Sequence, residues 1–293
     1  MSSFTLILNS TNAVGTGNNT FQYQFNKGAF TIPEGSEMMI TNIQIPYAFF
    51  NITKAYNNNT FSFSFPTGSS TYNTYTITIP DGFYTTTTLN TFLQQFMISK
   101  GLYLVDANGN NVYYAQILYN TTYYANTIYT FLVPTALPTG YNYPAGYTSA
   151  TIFDGAGFPT VSRTPSFVIS STNTFGTYLG FTAGTYPSLG NIASYAVNSN
   201  TTPQGSTVNS IIARCSLVNN AVVSPTDLVD SFPINASFGS NINYTPNIEK
   251  FVKLSSGSFT SFTITLVDQN LNLINSLDKN VLITILFRFP KNK

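Results

Sequence analysis

Most of this chain is written in strand period. In "TFSFSF" (60–65) and "TYTITI" (74–79) every second residue is large and apolar, Phe61, Phe63 and Phe65, then Tyr75, Ile77 and Ile79, with Ser and Thr between them. Such alternation places one face of a strand in a core and the other towards water, and it does not fit the 3.6-residue period of a helix. The linking "PTGSST" is turn chemistry, so the pair predicts a hairpin. "TFQYQF" (20–25) repeats the pattern with Phe21, Tyr23 and Phe25 on one face and Gln22 and Gln24 on the other.

One segment breaks the habit. In "DGFYTTTTLNTFLQQFMISKG" (81–101), Leu89, Phe92, Leu93, Phe96 and Met97 recur at three-and-four spacing. That spacing predicts an amphipathic helix, with the preceding threonines as N-cap and Gly101 just past its end.

Around these landmarks the rest falls into order. "IPEGSEMMITNIQIPYAFFNIT" (32–53) opens on a turn and predicts a strand with Met39, Ile43 and Ile45 on one face, ending at or lying at an edge because of Pro46. After the helix, Asn108-Gly109 predicts a second hairpin over 102–119, and "NTIYTFLV" (126–133) a further strand. Hairpin, helix, hairpin and strand make a compact α+β module.

Residues 134–164 are dense in Pro, Gly and Tyr without any period, which predicts a long functional or mobile loop. "SFVI" (166–169) and the compact 175–187 follow, then a polar irregular stretch at 198–207. From 208 the alternation returns through "VNSIIARCSLV", "DLVDSFPI", "EKFVKL", "SFTSFTITLVD" and "NVLITILFRF". The apolar phase slips between Phe259 and Phe262, predicting a bulge. The last strand, with Val281, Ile283, Ile285, Phe287 and Phe289 on one face and Leu282 and Leu286 on the other, is expected to be buried on both sides.

The expected fold is therefore mainly β: a single jelly-roll sandwich with an inserted small α+β domain. Residues 1–52 and 206–293 form the two parts of the jelly roll and 53–205 the insertion. No internal repeat of 20–50 residues is visible.

Composition limits what such a fold can do. Of 293 residues, 7% are charged, against about 25% in ordinary soluble domains, while 15% are aromatic. A surface of Asn, Thr, Ser and Tyr can be buried against another subunit without the desolvation cost of charges. An AT-rich genome would enrich Asn, Tyr, Phe and Ile, but it should enrich Lys as well, and lysine is scarce. Net charge +1 lacks the basic stripe that nucleic acid demands; the one local excess is the C-terminal Arg288, Lys291 and Lys293, a candidate for weak contact with packaged DNA.

Chemistry is sparse. There is no histidine, which removes the Ser-His-Asp and Cys-His triads, histidine metal centres and the common proton shuttle. The ten carboxylates, Glu34, Glu37, Asp81, Asp106, Asp154, Asp227, Asp230, Glu249, Asp268 and Asp278, stand mostly at turn signals. Asp227 and Asp230 are the nearest local pair that a glycosidase mechanism would need. "DANGNN" (106–111) and "DQNLN" (268–272) begin like calcium loops but lack Gly at the sixth position and Glu at the twelfth, so they read as turns. "GAGFPT" near 155 is followed by no helix signal and is not a phosphate loop.

Cys215 is alone, forms no intrachain disulfide and reads as a core residue. The aromatic hairpins could stack sugars or bases, but strict alternation without interleaved Lys or Arg favours core packing. No catalytic, cofactor-binding or metal-ligating residue is assigned.

The N-terminal "MSSFTLILNS" has no basic residues before a short apolar run, and no segment is long enough to span a bilayer, so the chain is expected on the cytosolic side. Sequons at Asn9, Asn18, Asn51, Asn58, Asn120, Asn200, Asn235 and Asn243 are then expected to be unused.

Several stretches, in order along most of the chain, resemble the penton (vertex) proteins of virophages and related double-stranded DNA viruses whose major capsid protein is a double jelly roll. They are "IPEGSEMMITNIQIPYAFFNIT", "NNNTFSFSF", "TITIPDGFYTTTTLNTFLQQF", "YLGFTAGTYP" and "TITLVDQNLNLINSLDKNVLITILFRF". The resemblance implies a structural protein of the virion, assembled in the host cytoplasm as a homopentamer at the five-fold vertices among major and minor capsid proteins. It implies no enzyme activity and no cofactor. The helix would then belong to the module crowning the vertex, and the terminal segments would reach neighbours or the interior. A spike or attachment protein, binding a host receptor or glycan through the 134–164 loops, is the alternative.

Overall fold

The structure, a computed structural model, describes residues 2–206 and 208–290. The chain is mainly β and divides into two compact units, 1–49 with 208–293, and 50–207.

In the first unit, Ser2–Asn9, Leu282–Phe289, Glu37–Pro46 and Asn241–Tyr244 lie side by side in that order, with Val252–Lys253 added to the start of Glu37–Pro46. A second sheet runs Leu228–Pro233, Ser210–Cys215, Ser261–Asp268, Thr20–Gln24. Every pairing is antiparallel. Alternate residues of both sheets, among them Leu8, Ile43, Ile283 and Ile285 of the first and Phe21, Ile211, Phe262 and Ile264 of the second, are fully or almost fully buried. Phe262 of one sheet meets Phe287 of the other edge-on at 5.8 Å, so the two inner faces share a core.

Strand Glu37–Pro46 departs from the expected phase. Ile285 opposes Ile40 while Thr284 opposes Asn42, so Thr41 is an extra residue. Directly opposed residues share a face, so Met38, Ile40 and Ile43 line up with Phe287, Ile285 and Ile283, whereas Met39 sits with Leu286 on the outer face. The bulge is thus at Thr41. The slip expected between Phe259 and Phe262 is instead a change of partner: Gly257–Phe259 pairs with Phe30–Ile32, and Ser261–Asp268 with Thr20–Gln24. In the last strand only the Ile283, Ile285, Phe287 and Phe289 face is buried; Leu282 and Leu286 are half-buried, not enclosed as expected.

The second unit contains the four-stranded sheet Gly184–Tyr186, Ser166–Ile169, Thr60–Pro66, Tyr72–Thr78 and the three-stranded sheet Tyr195–Asn198, Ala125–Thr130, Ala115–Asn120. The hairpin expected at 60–79 is present, with Phe61 opposite Ile77 and Phe63 opposite Tyr75. The Asn108-Gly109 hairpin is shorter than expected, Tyr103–Val105 with Asn111–Tyr113, because the chain leaves at Tyr114 to join another sheet as Ala115–Asn120.

The helix spans Thr86–Ser99. Thr85 Oγ1 accepts from the Thr88 amide at 3.2 Å and Thr88 Oγ1 from the Thr85 amide at 2.8 Å, a reciprocal cap built from two threonines. Leu89, Leu93 and Met97 are fully buried, and Phe92 and Phe96 pack partly buried against the same cluster. Asn90 turns the inner face to use: its side-chain oxygen accepts the Ile117 amide at 2.9 Å, fixing helix to sheet.

Gly101, at φ +62°, ends the helix, and a Cβ there would run into the Tyr147 ring. Gly101→Ala is expected to cost about 1–2 kcal/mol, from the left-handed backbone and the displaced ring together, read as a shift in urea midpoint without a change in slope.

The 134–164 segment has no regular structure, yet it is not the free loop that its composition suggests. The Phe153 amide donates to Gly101 O at 3.1 Å and the Asp154 amide to Lys100 O at 2.9 Å, so the loop satisfies carbonyls at the helix end. Lys100 pairs with Asp154 at 3.6 Å, and Ile152 and Phe153 are fully buried.

Candidate functional site

The carboxylates are distributed, not convergent. Asp227 pairs with Arg214 at 2.8 Å. Asp230 accepts from Tyr244 Oη at 2.7 Å and Lys250 Nζ at 3.2 Å, so the nearest local pair is engaged by two different sets of partners. Asp106 and Asp268 fold back identically: each accepts the amides two and four residues on, Asn108 and Asn110 in one case, Asn270 and Asn272 in the other. Those bonds, with Asn110 the largest contributor, hold the Asp106 carboxyl below its ordinary pKa. Among the described residues no three His, Cys, Asp or Glu side chains cluster as metal ligands would.

Cys215 is fully buried, which pushes its thiol up to about 12 and leaves it inert at neutral pH. Sequon residues Asn51 and Asn58 are buried with their side chains hydrogen-bonded, so neither presents its amide for a glycan. Arg288 stacks over Phe251 at 3.6 Å and pairs with Glu249 at 2.9 Å, while Lys291 and Lys293 lie outside the described residues. No described helix is long and apolar enough to cross a membrane.

The second unit contains a cleft of about 350 Å³ at the start of the helix. Its walls come from five places in the sequence: Asn51, Phe83 to Thr87, the hairpin residues Tyr119, Tyr124 and Asn126, Tyr178 of the short helix Phe175–Leu179, and Pro203 with Gly205 and Ser206. The inner polar groups are committed to holding the walls. Asn51 accepts the Tyr84 amide and donates to Tyr84 O and Gly205 O, all at 2.7 Å. Asn126 accepts from Thr86 Oγ1 at 2.7 Å and donates to Leu179 O at 2.9 Å; Tyr178 Oη donates to Tyr84 O at 2.8 Å. Burial raises the Tyr178 phenol well above its ordinary pKa, so it stays a neutral donor.

Sequence alone did not reveal this cleft. Its five segments are spread along the chain, and only the tyrosines of "YNTTYY" (119–124), which have no place in an alternating pattern, gave a local sign.

No family model matches the chain, and no curated protein matches it. Solved structures do. One is the mavirus penton protein, at 10% identity, 99% of both chains covered and a TM-score of 0.46. Another is a chain of the Sputnik virophage structure, at 12% identity, 99% of this chain and 98% of that one covered and a TM-score of 0.40.

Proposed function

We propose that this is a structural virion protein, the penton of an icosahedral capsid: a homopentamer at the five-fold vertices, seated among major capsid proteins and without a catalytic centre. Residues 1–49 and 208–293 would be one jelly roll and 50–207 a domain inserted into it. The observation that carries the reading is strand order. Counting the eight principal strands of the first unit along the chain, one sheet runs 1-8-3-6 and the other 5-4-7-2, the double Greek-key winding of a jelly roll, with the chain departing between strands 3 and 4.

Surface chemistry supports assembly. Ser2–Asn9 is an edge strand with one side unpaired, and Phe4 and Ile7 on it are 39% and 55% exposed. An uncharged edge of this kind is a hazard in a monomer and an asset in a ring, where it is covered by a different flank of the next subunit. The ordered resemblance of the sequence to virophage pentons points the same way.

Native mass spectrometry over a concentration series tests the proposal. A species of five times 32.1 kDa is expected, growing at the expense of monomer. A trimer, or a monomer that persists at the highest concentration and is missing from particle vertices, would sink it.

A further inference from the structure

The cleft beside the helix start has features that a purely structural domain does not require. Its polar walls are locked by the Asn51, Asn126 and Tyr178 bonds, so it is pre-formed, and its volume falls within the range of small-ligand sites, about 300–1,000 Å³. Tyr119 and Tyr124 stand at it 44% and 64% exposed, their rings edge-to-face at 6.1 Å and 81°, leaving ring faces open. Tyr124 is held at φ +49°, a conformation that a bulky side chain adopts only where its surroundings impose it.

The chemistry of the lining selects a ligand class. It contains no Asp, Glu, Lys or Arg, so a charged ligand would lose its water shell without gaining a counter-charge. What it offers is aromatic face and neutral hydrogen-bonding groups. Among the described residues none bonds the Tyr119 or Tyr124 hydroxyls, and the amides of Thr86 and Thr87, in the first helical turn, have no carbonyl four residues back within the helix. A sugar ring matches both: an apolar C–H face, and a rim of hydroxyls that donate and accept.

We propose that this cleft binds a neutral carbohydrate, a mono- or disaccharide unit stacked on Tyr124 beside Tyr119 with its hydroxyls towards Thr86 and Thr87. The assignment moves glycan recognition away from the 134–164 segment, which is anchored to the core through Ile152 and Phe153, and does not depend on where in a particle the chain stands.

The test uses the full chain on an array of neutral and sialylated oligosaccharides, followed by calorimetric titration with the best neutral binder. Tyr124→Ala, at an exposed position, is expected to weaken binding about tenfold, the scale of one lost stacking contact. Tyr123→Ala, 70% exposed and outside the cleft, should leave it unchanged. Thr87→Glu suits the first helical turn, so the fold is kept, while the carboxylate intrudes on the lining and binding should be lost. Absence of any neutral binder on the array, equal affinity in the Tyr119→Ala/Tyr124→Ala double variant, or binding confined to sialylated glycans would each overturn the assignment.

Discussion

Phe153→Ala is expected to destabilise the second unit by about 3–5 kcal/mol, the range for emptying a large buried aromatic site. Phe153 lies in the 134–164 segment, yet it is fully buried and its ring meets Phe65 at 5.0 Å, Phe158 at 5.4 Å and Tyr114 at 6.1 Å, the last two edge-to-face. A void there has no neighbour free to fill it, because Phe65 is itself packed against Phe63 and Tyr114. Against a total of about 5–15 kcal/mol for a typical domain, the loss is a large fraction.

Hydrogen exchange reads the result locally. Protection should fall across Thr60–Pro66, Ser166–Ile169 and Thr86–Ser99, while the strands of 2–49 and 208–290, which have their own buried residues, keep theirs. A change below about 1 kcal/mol would mean the segment is an appendage. Uniform loss over both units would mean they do not hold separate cores.

What the sequence made legible follows from how far each signal reaches. Phe61, Phe63 and Phe65 opposite Ile77 and Tyr75 need only a turn between two alternating runs, so the hairpin is written in 20 residues. The helix carries its threonine cap, its apolar stripe and its closing Gly101 within one segment. Long-range features had no such local mark. Thr41 is a bulge because Leu282–Phe289, more than 200 residues away, demands that Ile40 and Ile43 both face inward. Asn241–Tyr244 has one inward apolar residue, Ile242, and is a strand only because Ile43–Pro46 offers it an edge. Phe153 looked like loop because Ile152 and Phe153 are an isolated apolar pair between Thr151 and Asp154-Gly155, and periodicity cannot describe two adjacent side chains plugging a hole. The cleft is the extreme case, since no one of its segments contains a site.

Asp230 carries the second large effect. Only 6% of its side chain is exposed, and it lies on Leu228–Pro233, an edge strand of one sheet, while its partner Tyr244 ends Asn241–Tyr244, an edge strand of the other. The phenol reaches its carboxylate at 2.7 Å and stacks on Phe232 at 4.5 Å, so one carboxylate fastens the two sheets along this margin. Lys250 adds a third contact at 3.2 Å, but its side chain is 47% exposed, and water replaces most of what it loses. Asp230→Ala is therefore expected to cost about 2–3 kcal/mol, chiefly from the stranded phenol and the vacated volume, and Asp230→Asn, which can still accept from Tyr244, about 1 kcal/mol.

The alkaline side gives an independent check. Burial, reinforced by the Asp230 hydrogen bond and charge, pushes the Tyr244 phenol up to about 12 from 10.0. A pKa raised in the folded state means stability that is whole below the unfolded value and drains away as pH climbs through the folded one. The stability difference between the wild type and Tyr244→Phe should accordingly hold steady to about pH 10 and shrink between 10 and 12, while the other tyrosines, common to both proteins, cancel. A difference that stays flat through pH 12 would place the Tyr244 hydroxyl in water and remove the fastening between the sheets.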